Sequence, residues 1–213
     1  MTDRNQPRLI SGCCLAAFAF FALICLVMHF SFAGLMIFLG AVLMTAGMFA
    51  ETLQILLPCG FAVTAVAYTV EFVWYLVQSF QRGFQAFFLL FPILEGLLMI
   101  AIFVGLVKIT LDTRDAKKWG LGITAAAFAA MLLVVGTVFA GWFKDAGEVN
   151  YFVFLERIAL IPLGIFFGRM MEGEEPILTI DLKKDSDGEN GPEPQGLQPE
   201  PERTGTEDAP EEL

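Results

Sequence analysis

The chain reads as an all-α integral membrane protein: six transmembrane helices, both termini in the cytoplasm, and a disordered acidic C-terminal tail. Three observations predict this. First, 56% of the 213 residues are hydrophobic, and they fall in runs of about 20 or more, the length that crosses a bilayer core. Second, the charge is segregated. From residue 172 onward fourteen Asp/Glu stand against Lys183, Lys184 and Arg203, a balance of 3 − 14 = −11, whereas the first 171 residues hold ten Lys/Arg and nine Asp/Glu, 10 − 9 = +1. Third, with six spans the inner segments carry Arg4, Arg8, Lys108, Arg114, Lys117, Lys118, Arg169, Lys183 and Lys184, and the outer ones only Arg82 and Lys144. That excess of inner cations sets the orientation.

Residues 1–8 are polar, and the first helix spans 9–30, with Gly12, Ala16, Ala19 and Leu23 along one narrow side. A break near Ser31 leads to a second helix over 33–57. Its stepped face is Gly40, Met44, Gly47, Glu51, Gln54 and Pro58, and Pro58-Cys59-Gly60 is expected to end it, because proline has no N–H and glycine accepts a turn. The third helix covers 61–80. The turn Gln81-Arg82-Gly83 precedes a fourth over 84–109, with Gln85, Phe88, Pro92, Glu95 and Met99 in step. Residues 110–119 make the largest internal loop. A fifth helix over 120–143 presents Gly122, Ala125, Ala129, Gly136 and Ala140 as a small-residue face for close packing. The sixth covers 151–171 and contains Glu156-Arg157, Pro162 and a Gly164-x-x-x-Gly168 pair. Trp119, Trp142 and Tyr151 fit interfacial belts.

The tail over 172–213 holds six of the ten prolines and many acids, too little apolar surface to offset the entropy of ordering. One apolar island, residues 176–182, is suited to docking on a protein partner. Cys13, Cys14, Cys25 and Cys59 all lie in or beside apolar runs, where free thiols pack as small core residues and no structural disulfide is expected.

The third helix carries the chemistry. Thr64, Tyr68, Glu71, Tyr75, Gln78 and Arg82 recur in steps of four and three and so share one face, while Ala65, Val66, Val70, Phe72, Val73, Trp74 and Val77 fill the others. A carboxylate in hydrocarbon costs several kcal/mol, so this face must turn towards other helices or a wet cavity. Counting rise per residue sets Glu71 and Glu95 near the midplane, roughly 15 Å deep. Glu51 and the Glu156-Arg157 pair lie roughly 9 Å from a surface, near enough to reach water. The short turns make the second, third and fourth helices antiparallel neighbours. Glu71 and Glu95 at one depth would then share a proton near neutral pH, as a proton-coupled carrier requires. The phenols of Tyr68 and Tyr75 suit an organic cation. Arg157 reads as a partner to Glu156, Glu71 or Glu95.

Enzyme chemistry finds no support. His29 is the only histidine and no aspartate lies within a span, so a histidine zinc cluster, a Ser-His dyad or an intramembrane aspartyl pair cannot be built. The acidity of the tail argues against nucleic-acid binding, and no cofactor or metal is expected. In size, helix count and topology the chain is similar to the substrate-binding subunits of energy-coupling-factor vitamin transporters; the likeness is architectural and carries no motif onto particular residues. Two functions are therefore expected from different classes. One is a membrane transport component that binds a small solute or cation near Glu71, Glu95, Tyr68, Tyr75, Gln78 and Arg157. The other is a non-enzymatic scaffold or assembly protein that recruits a partner through its tail. Short loops and the absence of an N-x-Ser/Thr sequon fit a bacterial plasma membrane.

Overall fold

Each long apolar run forms one helix. The computed structural model describes residues 5–81, 86–139, 147–174 and 176–177. Among them are six long helices and no strand: α1 (Asn5–Met28), α2 (Phe32–Phe49), α3 (Leu56–Gln81), α4 (Ala86–Leu111), α5 (Ala116–Phe139) and α6 (Gly147–Met171). All six are long and apolar enough to cross a membrane. Arg82, Trp142, Lys144 and residues 178–213, which figure in the sequence reading, lie outside the described residues.

The helices pack up and down in sequence order, and α6 closes back on α1 to complete a ring. The start of α1, the α2–α3 turn, the α4–α5 turn and the end of α6 share one end of the ring, called here the termini end. There Arg8 Nε and Nη2 each donate to the Met48 carbonyl at 3.3 Å, tying the start of α1 to the last turn of α2. A cation at that position also suits the negative end of the helix. At the opposite end Ser31 caps α2 by accepting from Gly34 N–H at 2.9 Å.

Several boundaries differ from the sequence expectation. The second helix ends at Phe49, where Ala50 turns extended at φ −99° and ψ 108°, and a short 3-10 turn over Glu51–Leu53 follows. Pro58 lies in the first turn of α3 instead of after α2. A proline there loses nothing, because the first N–H groups of a helix have no intrahelical acceptor. Glu51 is accordingly in a turn and not in a span. The loop expected over 110–119 shrinks to residues 112–115, since Lys117, Lys118 and Trp119 are already helical. Lys118 Nζ donates to Asp115 Oδ1 at 2.8 Å and holds that carboxyl below its ordinary range. Lys108 Nζ stands 4.2 Å from the centre of the Trp119 ring, joining the last turn of α4 to the first of α5.

Helices approach most closely along two seams. A Cβ on Gly60 of α3 would stand 2.7 Å from the Gly40 carbonyl oxygen of α2, and one on Gly164 of α6 2.7 Å from the Gly120 carbonyl oxygen of α5. Each seam also holds a threonine. Thr64 Oγ1 donates to Gly60 O at 2.9 Å, and Thr124 Oγ1 to both Gly120 O and Ile161 O at 3.0 Å. Small residues allow this approach, which matters in lipid because apolar side chains gain little from leaving an equally apolar solvent. Gly164 and Gly168 pack as the sequence suggests, but the expected face of α5 does not. A Cβ on Gly122 would meet nothing within 4 Å, and Gly120 is the residue in the seam.

Towards the termini end the interior of the ring is filled by aromatic side chains. Phe18, Phe61, Phe103 and Phe167 come from α1, α3, α4 and α6 and are all fully buried. Their rings meet across the centre, Phe18 to Phe103 at 5.5 Å, Phe61 to Phe103 at 6.5 Å and Phe61 to Phe167 at 5.5 Å.

Past α6 the chain reverses at Gly173, whose φ of 78° is the left-handed conformation common after helices. Thr113 Oγ1 donates to Glu174 O at 2.8 Å, and Ile177 N–H to Thr110 O at 3.0 Å. Ile177 packs against the bundle core. The first apolar residue of the island at 176–182 thus docks on its own chain.

Gly120→Ala and Gly164→Ala should each lower unfolding stability in mild detergent by about 1–3 kcal/mol through overpacking. Gly122→Ala, on the same helix as Gly120, should change it by less than about 0.5 kcal/mol. Equal effects from the two α5 substitutions would remove the seam as the source.

Candidate binding site

The face of α3 that carries Tyr68 and Glu71 turns inward, as its polarity requires. Thr64 and Tyr68 are buried at 0% and 4% exposure, whereas Val66, Val70, Val73 and Trp74 are exposed on the outside of the ring. Towards the end of α3 the face opens. Glu71 and Gln78 are half-buried, and Tyr75 is 47% exposed.

Depth follows from the helix bounds. Glu71 lies ten residues before the end of α3 at Gln81, and Glu95 and Glu156 nine residues after the starts of α4 and α6 at Ala86 and Gly147. At 1.5 Å per residue all three are about 14–15 Å from the same, opposite end. Because α6 begins at Gly147 and not at residue 151, Glu156 and Arg157 lie deeper than the sequence suggests. Both are buried, at 4% and 5% exposure. Glu156 does not reach water as expected; it belongs to the site. The observable sequence signal was its position beside an arginine inside an apolar run.

Arg157 is the hub. Its Nε and Nη2 donate to Glu95 Oε1 at 3.0 and 2.9 Å, so the carboxylate of α4 is held by two donors from α6. Nη1 donates to Glu156 Oε1 at 2.8 Å and to the Tyr68 hydroxyl at 3.1 Å. That hydroxyl in turn donates to Glu156 Oε1 at 2.7 Å. The guanidinium carbon also stands 5.4 Å from the centre of the Tyr68 ring. Three helices, α3, α4 and α6, are thereby joined through the axis. Removing one member of such a buried charge set leaves its partners uncompensated, typically at about 3–5 kcal/mol.

Of the residues singled out in the sequence, the structure brings Tyr68, Glu95 and Arg157 into this network. Glu95 pairs with Arg157, and no hydrogen bond joins it to Glu71. Among the described residues none donates a hydrogen bond to Glu71. Tyr75 and Gln78 continue the same face towards the opposite end, on the side away from the phenylalanine rings. No group of three His, Cys, Asp or Glu among the described residues is placed to hold a metal ion. The four cysteines are free thiols but not the buried core residues expected: Cys13 and Cys59 are exposed, and Cys14 and Cys25 half-buried.

Comparisons with protein families, with characterised proteins and with solved structures find no match. The architectural likeness to energy-coupling-factor subunits gains no counterpart from them, and function is argued from the cluster alone.

Arg157→Leu should destabilise the folded chain by about 3–5 kcal/mol, and combining it with Glu95→Gln should restore part of that loss. Tyr68→Phe should cost about 1–3 kcal/mol for the acceptor and donor left unmet. Glu71→Gln should cost less than about 0.5 kcal/mol, the range for positions without a specific partner. Denaturant unfolding in detergent checks all four.

Proposed function

We propose that this chain is a membrane transport component that binds a small solute or cation at the carboxyl cluster, with Glu71 as the receiving group. The observation that carries the reading is an imbalance. Three carboxyls, Glu71, Glu95 and Glu156, gather at one depth around one guanidinium, and only Glu95 and Glu156 are bonded to it. Ionisable groups within a span are expensive and mark ion or substrate pathways. A surplus carboxyl beside an arginine already paired with two others provides a place where a proton or an ammonium-type cation restores balance. The phenols of Tyr68 and Tyr75 lie one turn to either side of Glu71 on α3; the Tyr68 ring is engaged by Phe103 and Arg157, and the Tyr75 ring is the one that favours an organic cation. Proton coupling follows from the same chemistry, because proton and cation would compete for one carboxyl.

On this reading the chain lies in a bacterial cell membrane with the termini end in the cytoplasm. That side carries ten of the twelve basic residues other than Arg157, counting from the sequence. The second reading, a scaffold that recruits a protein through its tail, draws on the anchoring of Glu174 and Ile177 to the α4–α5 turn. That anchoring would pass a pull on the tail to the bundle.

Native mass spectrometry of the protein, purified in mild detergent from its own host, tests both. The transport reading expects a retained small molecule that disappears in Glu71→Gln and survives deletion of residues 178–213. A co-purified protein that is lost on the deletion, with no small molecule present, would move the function to the tail.

A further inference from the structure

We infer that the four phenylalanine rings form a closed gate on the termini side of the carboxyl cluster, and that Tyr68 ties the gate to the cluster. This rests on reading the cluster as a binding site. The two sides of the cluster are built differently. Towards the termini end Met99, Phe103, Leu106, Phe61, Phe18 and Phe167 are all fully buried. The rings come from four helices and meet one another in the interior. Such an apolar constriction excludes water and ions. Towards the opposite end Glu71 and Gln78 are half-buried and Tyr75 is exposed. On this inference the cluster is sealed from the termini end by the rings and is reached from the opposite end, where the α3 face is less deeply buried.

Tyr68 belongs to both parts. Its ring stacks on Phe103 with centroids 5.6 Å apart and planes 17° from parallel, and Phe103 touches both Phe18 and Phe61. Its hydroxyl is bonded to Glu156 and Arg157. A change of charge or occupancy that rearranges those two side chains must move the hydroxyl, and with it the ring that steadies Phe103. Binding at the cluster is in this way linked mechanically to the seal, as a carrier that opens alternately to its two sides requires.

The test uses the full chain in membrane vesicles of both orientations, with the four native cysteines replaced by alanine. Glu71→Cys is the reporter and Arg114→Cys, in the exposed α4–α5 turn, marks the termini face. A membrane-impermeant maleimide should label Glu71→Cys at least about tenfold faster from the face opposite to that which labels Arg114→Cys, the ratio expected where the open gate is a minor state. Adding Phe103→Ala should bring labelling from both faces to within about twofold, whereas Phe103→Leu, which keeps the bulk, should leave the preference. Tyr68→Phe, which keeps the ring and removes the hydroxyl, should raise labelling from the termini face by about tenfold. Labelling of Glu71→Cys from both faces or from neither in the otherwise native background overturns the gate. An unchanged preference in a folded Phe103→Ala chain does the same, and an unchanged preference in Tyr68→Phe overturns the link. Ligand retention plays no part in the labelling. A chain that binds nothing yet labels from one face keeps the gate and loses the transport reading; one that loses its ligand in Glu71→Gln yet labels from both faces does the reverse.

Discussion

Arg157 makes four hydrogen bonds inside the bundle, two to Glu95 of α4, one to Tyr68 of α3 and one to its own neighbour Glu156. In a bilayer core no water competes for those donors, so each must find an acceptor within the protein. The position of the charged layer follows from this requirement. Tyr68, Glu95 and Glu156 must converge at one level, which fixes how α3 and α4 stand relative to α6. The closure of the ring around the hub follows too, since a guanidinium open to lipid on any side would not be held by three partners alone.

Different residues do different jobs around that hub. Glycine brings backbone against backbone in the α2–α3 and α5–α6 seams. Glycines of α1 and α4, by contrast, face only side chains: Gly12 meets Phe49, Gly96 meets Phe72 and Gly105 meets Ile123. The ring thus contains two tightly joined pairs with α1 and α4 between them. These two intervening helices supply Phe18 and Phe103, which meet across the axis at 5.5 Å. The aromatic cluster joins the two kinds, since Phe61 and Phe167 come from the tightly joined pairs and Phe18 and Phe103 from the helices between them.

Much of this was legible in the sequence because hydropathy and periodicity act locally. The number of spans follows from run length, and the inward turn of the Tyr68 face follows from its spacing on a 3.6-residue helix. Boundaries were less legible. Pro58 suits a first helical turn as well as the end of a helix, and only the extended conformation at Ala50 decides between them. The packing face of α5 was not legible either, since alanine and glycine lie all round that helix and composition does not distinguish Gly120 from Gly122. The acid missed in the site, Glu156, was a matter of four residues of helix length: a start at Gly147 carries it about 6 Å deeper, from a level within reach of water to one without it. Which acid pairs with Arg157 is a long-range fact. Sequence spacing on one helix holds no information about the rotation of another.

The closure of α6 on α1 also has a consequence for biosynthesis. Residues 1–146 leave the ribosome before any of α6, so five helices, with Glu71 and Glu95 among them, enter the membrane ahead of Arg157, the partner of Glu95. The first helix waits with one flank unpartnered until the last arrives. Arg157, by contrast, is inserted when Tyr68 and Glu95 are already in place, and its charge has acceptors from the moment it enters. Assembly of this ring is therefore completed from its carboxyl-terminal side, and a ribosome stalled before residue 157 would leave a bundle that carries its acids without their counter-charge.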